Sequence, residues 1–208
     1  MEKEPTALLL VDIQNDFIQG GALPVPEGHL IIPFIEALMQ KEYTLKIASK
    51  DWHPHDHISF AQTHPGKVVG EIIDVEGNPQ VLWPKHCVQG TWGAEWAPGW
   101  DSSKIDYVVY KGTEKYIDSY SMFFDNGHRK STGLTEYLIE HQIRRLHIAG
   151  LATDYCVKYT VLDALHLNFK VFLITHACRG VNIHPQDSLN ALREMEFAGA
   201  LTVSLELI

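Results

Sequence analysis

The sequence predicts an α/β protein with a doubly wound, Rossmann-like three-layer fold, and three observations carry that reading. Short apolar runs of strand type recur along the chain, helical patterns lie between several of them, and most of the runs end at a polar residue or a glycine. Apolar runs without alternation are those of strands buried on both faces, as in a parallel sheet covered by helices.

Strands are expected at 7–11, 45–48, 107–110, 145–149 and 171–174. Between them Leu30, Phe34, Ile35 and Leu38 share one helical face, as do Leu134, Tyr137, Leu138 and His141, and then Val157, Val161, Leu162 and Leu165. A last helix over 186–197 is bounded by His184-Pro185 before it and Gly199 after it, and a final strand is expected over 201–205. Two long stretches, 51–104 and 112–132, carry Trp, Pro, Gly and His without periodicity. Loops of that length in a compact domain are usually functional.

Composition bounds the partners. With 208 residues, 45% of them hydrophobic, one core suffices and a single domain over 1–208 is expected. The formal charge of -9, with 17 Lys and Arg against 26 Asp and Glu, offers no footprint for nucleic acid or anionic lipid. No apolar stretch approaches the roughly 20 residues of a membrane span, and the N-terminus lacks the basic and apolar regions of a signal peptide. Three scattered cysteines, Cys87, Cys156 and Cys178, argue against a disulfide framework and for a reducing compartment, so the cytoplasm is expected.

In an open parallel sheet the ligand crevice lies beyond the carboxyl ends of the strands. Polar residues just after apolar runs are therefore the first candidates for chemistry: Asp12, Asp51, Lys111 and the segment from Thr153 to Cys156. Cys156 follows a strand end and opens a helix, where the dipole and free backbone N–H groups favour a thiolate and can hold an oxyanion. Local sequence leaves a second reading open, a buried cysteine packing as a small hydrophobe. Asp12 is placed to accept a thiol proton and return it to a leaving amine, and Lys111 to stabilise negative charge at the same edge. Read singly, a turn aspartate and a surface lysine would explain the last two. Three complementary groups at three strand ends coincide less readily.

Five of the twelve histidines (His53, His55, His57, His64 and His86) fall in one stretch. Asp51 and His53, separated by one residue at a strand end, point roughly the same way, and His57 or His86 can complete a site for Zn, Fe or Mn. Ordinary loop hydrogen bonding is the alternative. Cys87 and Cys178 read as packing residues, and Phe17, Trp83 and Tyr120 lie where they can sandwich a flat ring.

These residues stand in recognisable runs: Val11-Asp12-Ile13-Gln14-Asn15-Asp16-Phe17, Asp51-Trp52-His53-Pro54 with His57-Ile58-Ser59-Phe60, Trp83-Pro84-Lys85-His86-Cys87-Val88, Lys111-Gly112, Asp118-Ser119-Tyr120-Ser121 and Gly150 through Val157. Together they resemble the nicotinamidase (pyrazinamidase) family within the isochorismatase-like cysteine hydrolases. The resemblance implies hydrolysis of nicotinamide to nicotinate and ammonia in NAD salvage, by a triad of Asp12, Lys111 and Cys156. It also implies a cis peptide between Leu151 and Ala152, oxyanion-holding N–H groups on Ala152 and Cys156, and a ring clamp of Phe17, Trp83 and Tyr120. It further implies one divalent metal, zinc before iron or manganese, on Asp51, His53 and His86. For the remaining ligand, His57 matches the histidine some members use; an acid from 66–81 (Glu71, Asp74 or Glu76) is the second candidate. A homo-oligomer is compatible with the sequence.

Two rival functions remain at this level. One is a related cysteine amidase acting on a ureido or carbamoyl substrate, whose relatives generally lack the Asp51, His53 and His86 set. The other is a catalytically silent metal-binding α/β protein, against which the complete triad argues.

Overall fold

A computed structural model describes residues 4–205. Six strands form one parallel sheet in the order β5-β2-β1-β6-β7-β8: β1 Thr6–Val11, β2 Leu45–Asp51, β5 Tyr107–Lys111, β6 Arg145–Leu151, β7 Lys170–Arg179 and β8 Leu201–Val203. A separate antiparallel hairpin pairs β3 (Ile72–Val75) with β4 (Asn78–Val81). The helices are α1 Ile32–Met39, α2 Leu134–Glu140, α3 Lys158–His166 and α4 Asp187–Ala198.

The central strands β1, β2 and β6 are buried on both faces, which is why their sequences do not alternate. Their side chains nevertheless divide by parity. Ala7, Leu9 and Val11 enter one core with Leu134, Leu138, Val161 and Met195 from α2, α3 and α4, while Leu8 and Leu10 enter the other with Ile35 and Leu38 from α1. The sheet is thus the middle of three layers.

The expected strands and helices all form, with shifted bounds. β7 runs on to Arg179, past the polar Thr175 and His176, and a register shift against β6 between Ile148 and Gly150 accommodates it. The last strand stops at Val203. The aperiodic stretch 51–104 holds the β3–β4 hairpin, whose turn at Glu76 and Gly77 takes positive φ at both residues. Among the described residues, no helix is long and apolar enough to cross a membrane.

Candidate active site

Strand order and register assemble the site. Asp51 and Lys111 are direct partners across the β2–β5 pair, so their side chains leave the sheet on the same side. Asp12 follows β1, the next strand over, and Cys156 lies in a single π-helical turn, Thr153–Val157, after β6. Four adjacent strand ends therefore converge. The Lys111 ammonium, fully buried, lies 2.8 Å from Asp12 Oδ2 and 3.3 Å from Cys156 Sγ, donates to the Ser119 carbonyl at 3.2 Å, and pairs with Asp51 Oδ1.

Asp12 takes a left-handed backbone, φ 51°, and its Oδ1 accepts from the Ser49 hydroxyl at 2.7 Å. Its Oδ2 is ion-paired with the Lys111 ammonium, and the carboxylate is grouped with Asp51 and the Cys156 thiol. Burial pushes the Asp12 carboxyl up, and Lys111 opposes it, leaving it at about 6. Burial would lower the Lys111 ammonium, but Asp12 and Asp51 hold it well above its usual range. Burial also pushes the Cys156 thiol well above its ordinary range, with Lys111 opposing. Burial thus works against the thiolate that the helix dipole favours. Two carboxylates, Asp12 and Asp51, are grouped with the thiol.

The second cluster shares Asp51. Its Oδ2 lies 3.5 Å from His53 Nε2 and 3.7 Å from His86 Nε2. Each ring's Nδ1 meets a carbonyl, Gly112 O at 2.9 Å for His53 and Pro84 O at 2.8 Å for His86. Since a carbonyl only accepts, both Nδ1 atoms carry a hydrogen, and both Nε2 atoms are turned toward Asp51. Burial would raise the Asp51 carboxyl, but Lys111 and His53 hold it well below the usual range. Three convergent N and O donors of this kind suit a divalent transition metal or zinc. Gly112, at φ 62°, is needed here: a Cβ would stand 2.4 Å from His53 Cε1.

Loop hydrogen bonds hold these ligands in place. Gln14 Nε2 donates to the Asp51 carbonyl and Gln14 Oε1 accepts the Asp51 N–H, both at 2.8 Å. Asp16 Oδ2 accepts the Cys87 N–H at 2.7 Å and fixes the segment that carries His86. His53 N–H donates to the Cys87 carbonyl, drawing His86 beside His53. Cys87 itself is buried with its thiol toward the Gly93 carbonyl, and Cys178 is buried too.

His57 takes a different place. Its ring stacks on His53 with centroids 4.2 Å apart. Its Nδ1 accepts the Ser59 N–H at 3.3 Å and lies 2.7 Å from the Ser59 hydroxyl, while its Nε2 faces the Ile117 carbonyl at 3.3 Å. Both nitrogens are engaged, and burial and the neighbouring His53 push the ring down to about 4. The acids of 66–81 stay outside. Glu71 pairs with Lys67, Glu76 with Arg129, and Asp74 is exposed, because the hairpin turns their side chains outward. The acid that does approach is Asp118, buried and grouped with His53 and His57.

A pocket is lined by Phe17, Leu23, Trp83, Tyr120, Ala152, Tyr155 and Val181 together with Cys156, Asp51, His86 and Asp118. Trp83 Nε1 donates to the Tyr120 hydroxyl at 3.1 Å and meets Tyr155 edge-on at 4.8 Å. The Leu151–Ala152 peptide is cis. Gln14, Asp16, Asp118 and Tyr155 are among the contributors for which the sequence alone suggests no role. All four lie inside the recognisable runs, but nothing local shows what they hold.

An apolar pocket over a cysteine, a carboxylate and a lysine defines a hydrolase-type site, and a model of the isochorismatase domain matches residues 6–206. The chain belongs to that family. It is 50% identical over 210 residues to the nicotinamidase of Escherichia coli (strain K12), covering 97% of this chain and 95% of that protein. A solved nicotinamidase pyrazinamidase of Acinetobacter baumanii, 39% identical, superposes with a TM-score of 0.95 over 100% of both chains. A pyrazinamidase of Pyrococcus horikoshii solved in complex with zinc is 37% identical, with a TM-score of 0.77 over 97% of this chain and 99% of that one.

Proposed function

We propose that this chain hydrolyses nicotinamide to nicotinate and ammonia, with Cys156 as nucleophile, Asp12 as general base and acid, and Lys111 as the cation that holds both. The observation that carries the reading is the buried grouping of the Asp12 carboxylate, the Lys111 ammonium and the Cys156 thiol, with Cys156 lining a pocket walled by Phe17, Trp83 and Tyr120. Relatives named nicotinamidase support the substrate, and on this reading the product feeds NAD salvage.

Asp12 takes the Cys156 proton and the sulfur attacks the carboxamide carbon. Backbone N–H groups of Ala152 and Cys156 receive the developing oxyanion. As the C–N bond breaks, Asp12 returns the proton to nitrogen and ammonia leaves; water then attacks the thioester, giving its proton to Asp12 while nicotinate departs and the thiol is restored. Asp51, His53 and His86 would hold a divalent metal, zinc by likeness to the Pyrococcus horikoshii structure. When bound, that ion supplies Lewis acidity that orients and polarises the ring. His57 then backs the His53 ring, its own nitrogens being engaged.

The test is steady-state turnover of nicotinamide alongside ureido and carbamoyl amides, with ammonia as readout. The reading expects efficient release from nicotinamide alone. Preference for an acyclic carbamoyl substrate would replace it with the related amidase, and absence of turnover on every amide with metal bound would leave the silent binding protein.

A further inference from the structure

We infer that Asp154 is a positioning residue of the catalytic pocket, strapping the 180–182 segment so that Val181 closes the wall against the ring. Asp154 sits two residues before Cys156 in the same turn and is 5% exposed. Its Oδ1 accepts the Val181 N–H at 2.9 Å and its Oδ2 accepts the Asn182 N–H at 2.7 Å, across 27 and 28 residues of sequence. Val181 lines the same pocket as Phe17 and Cys156. The segment joins β7 to α4 without regular structure of its own, so a carboxylate holding two consecutive N–H groups largely decides where it lies.

The neighbours agree with a built contact. At Gly180 an added Cβ would stand 3.0 Å from Asp154 Oδ1 and 1.9 Å from Ser188 Oγ, so only glycine lets the segment approach this closely. Asn182 Oδ1 accepts the Ser188 N–H at 2.9 Å and ties the far side to α4. Consecutive residues of one turn therefore have separate tasks. Asp154 holds the wall, Tyr155 packs on Trp83, and Cys156 faces Lys111. Val181 is an apolar side chain with no proton to give or take, so its displacement weakens binding in ground and transition states alike.

The experiment is a double-mutant cycle between Asp154→Asn and Val181→Ala, read on nicotinamide. Asparagine can accept from one N–H only and turns an amide donor toward the other. Losing one charge-assisted bond corresponds to a KM increase of about 10-fold with kcat held within about threefold. Once Val181 is already alanine, Asp154→Asn should raise KM much less than it does alone. Additive KM effects, or a collapse of kcat at unchanged KM, would overturn the strap. If Asp154→Asn does not fold, Gly180→Ala replaces it in the cycle, because its methyl forces the segment away from the opposite side, and the same non-additivity is expected. The inference rests on the nicotinamide reading, so wild-type turnover is measured in parallel. Its absence removes that reading and the strap together, whereas wild-type turnover with additive effects removes the strap alone.

Discussion

Lys111 carries the densest set of contacts in the site, because one buried ammonium faces Asp12, Asp51 and Cys156 at once. Replacing it with Met keeps most of the stem and removes the charge. Asp12 and Asp51 then oppose each other without a cation between them, and kcat should fall by roughly 10²-fold or more, the scale of one proton-transfer catalyst. The pH profile adds a signed test. In the proposed mechanism Asp12 must be ionised to act as base, so wild-type activity should fall as pH drops through about 6. Lys111 lowers the Asp12 carboxyl, so in Lys111→Met that limb should move to higher pH; an unmoved limb would place Lys111 at the substrate instead. The proposed metal ligands divide the same way. His86→Ala should remove most bound metal by elemental analysis and raise KM, whereas His57→Asn should retain most of it, because His57 is bonded to Ser59 and Ile117. Equal losses would make His57 a ligand.

At the scale of elements, the chemistry depends on where strands end and on the residues just beyond those ends. The ends of β1 and β5 were legible because an apolar run stopped at a single charged residue, Asp12 or Lys111, and that of β2 because the run gave way to Ser49, Lys50 and Asp51. The turn carrying Cys156 was legible as the opening of a helix, but its π-helical winding was not, since nothing in Thr153 to Val157 distinguishes it from an ordinary first turn. Nor was the thiol's environment: the dipole argument favours thiolate, while full burial opposes it. The β3–β4 hairpin was hidden by its shortness and by Pro79 within a strand. Asp118 stands in a recognisable run without a legible role, because its approach to His53 depends on the long loop after β5. That loop begins at Gly112, and Gly112→Ala should push against the His53 ring and weaken metal binding by about 10- to 100-fold, the range for disturbed supporting contacts. Metal titration of that variant checks it; unchanged affinity would show that the ring can shift freely.

At the scale of the molecule, two apolar cores on opposite faces of one sheet hold six strand ends in fixed register, and the site is where four of them meet. Leu9, wholly buried in the middle of β1, supports that register three residues before Asp12. Leu9→Ala should lower unfolding stability by about 2–5 kcal/mol in a denaturant titration, and the folded fraction should keep its wild-type KM. A shifted KM would mean that core packing and pocket geometry are not separable. The central claim, covalent catalysis by Cys156, is tested most directly by mixing the protein with nicotinamide, quenching rapidly in acid, and mapping the peptide that contains Cys156 by mass spectrometry. The account predicts a nicotinoyl thioester on Cys156 that forms before nicotinate accumulates and is missing from Cys156→Ala. Ammonia release from Cys156→Ala at the wild-type rate, or an acyl group on Cys87 or Cys178 instead, would contradict it.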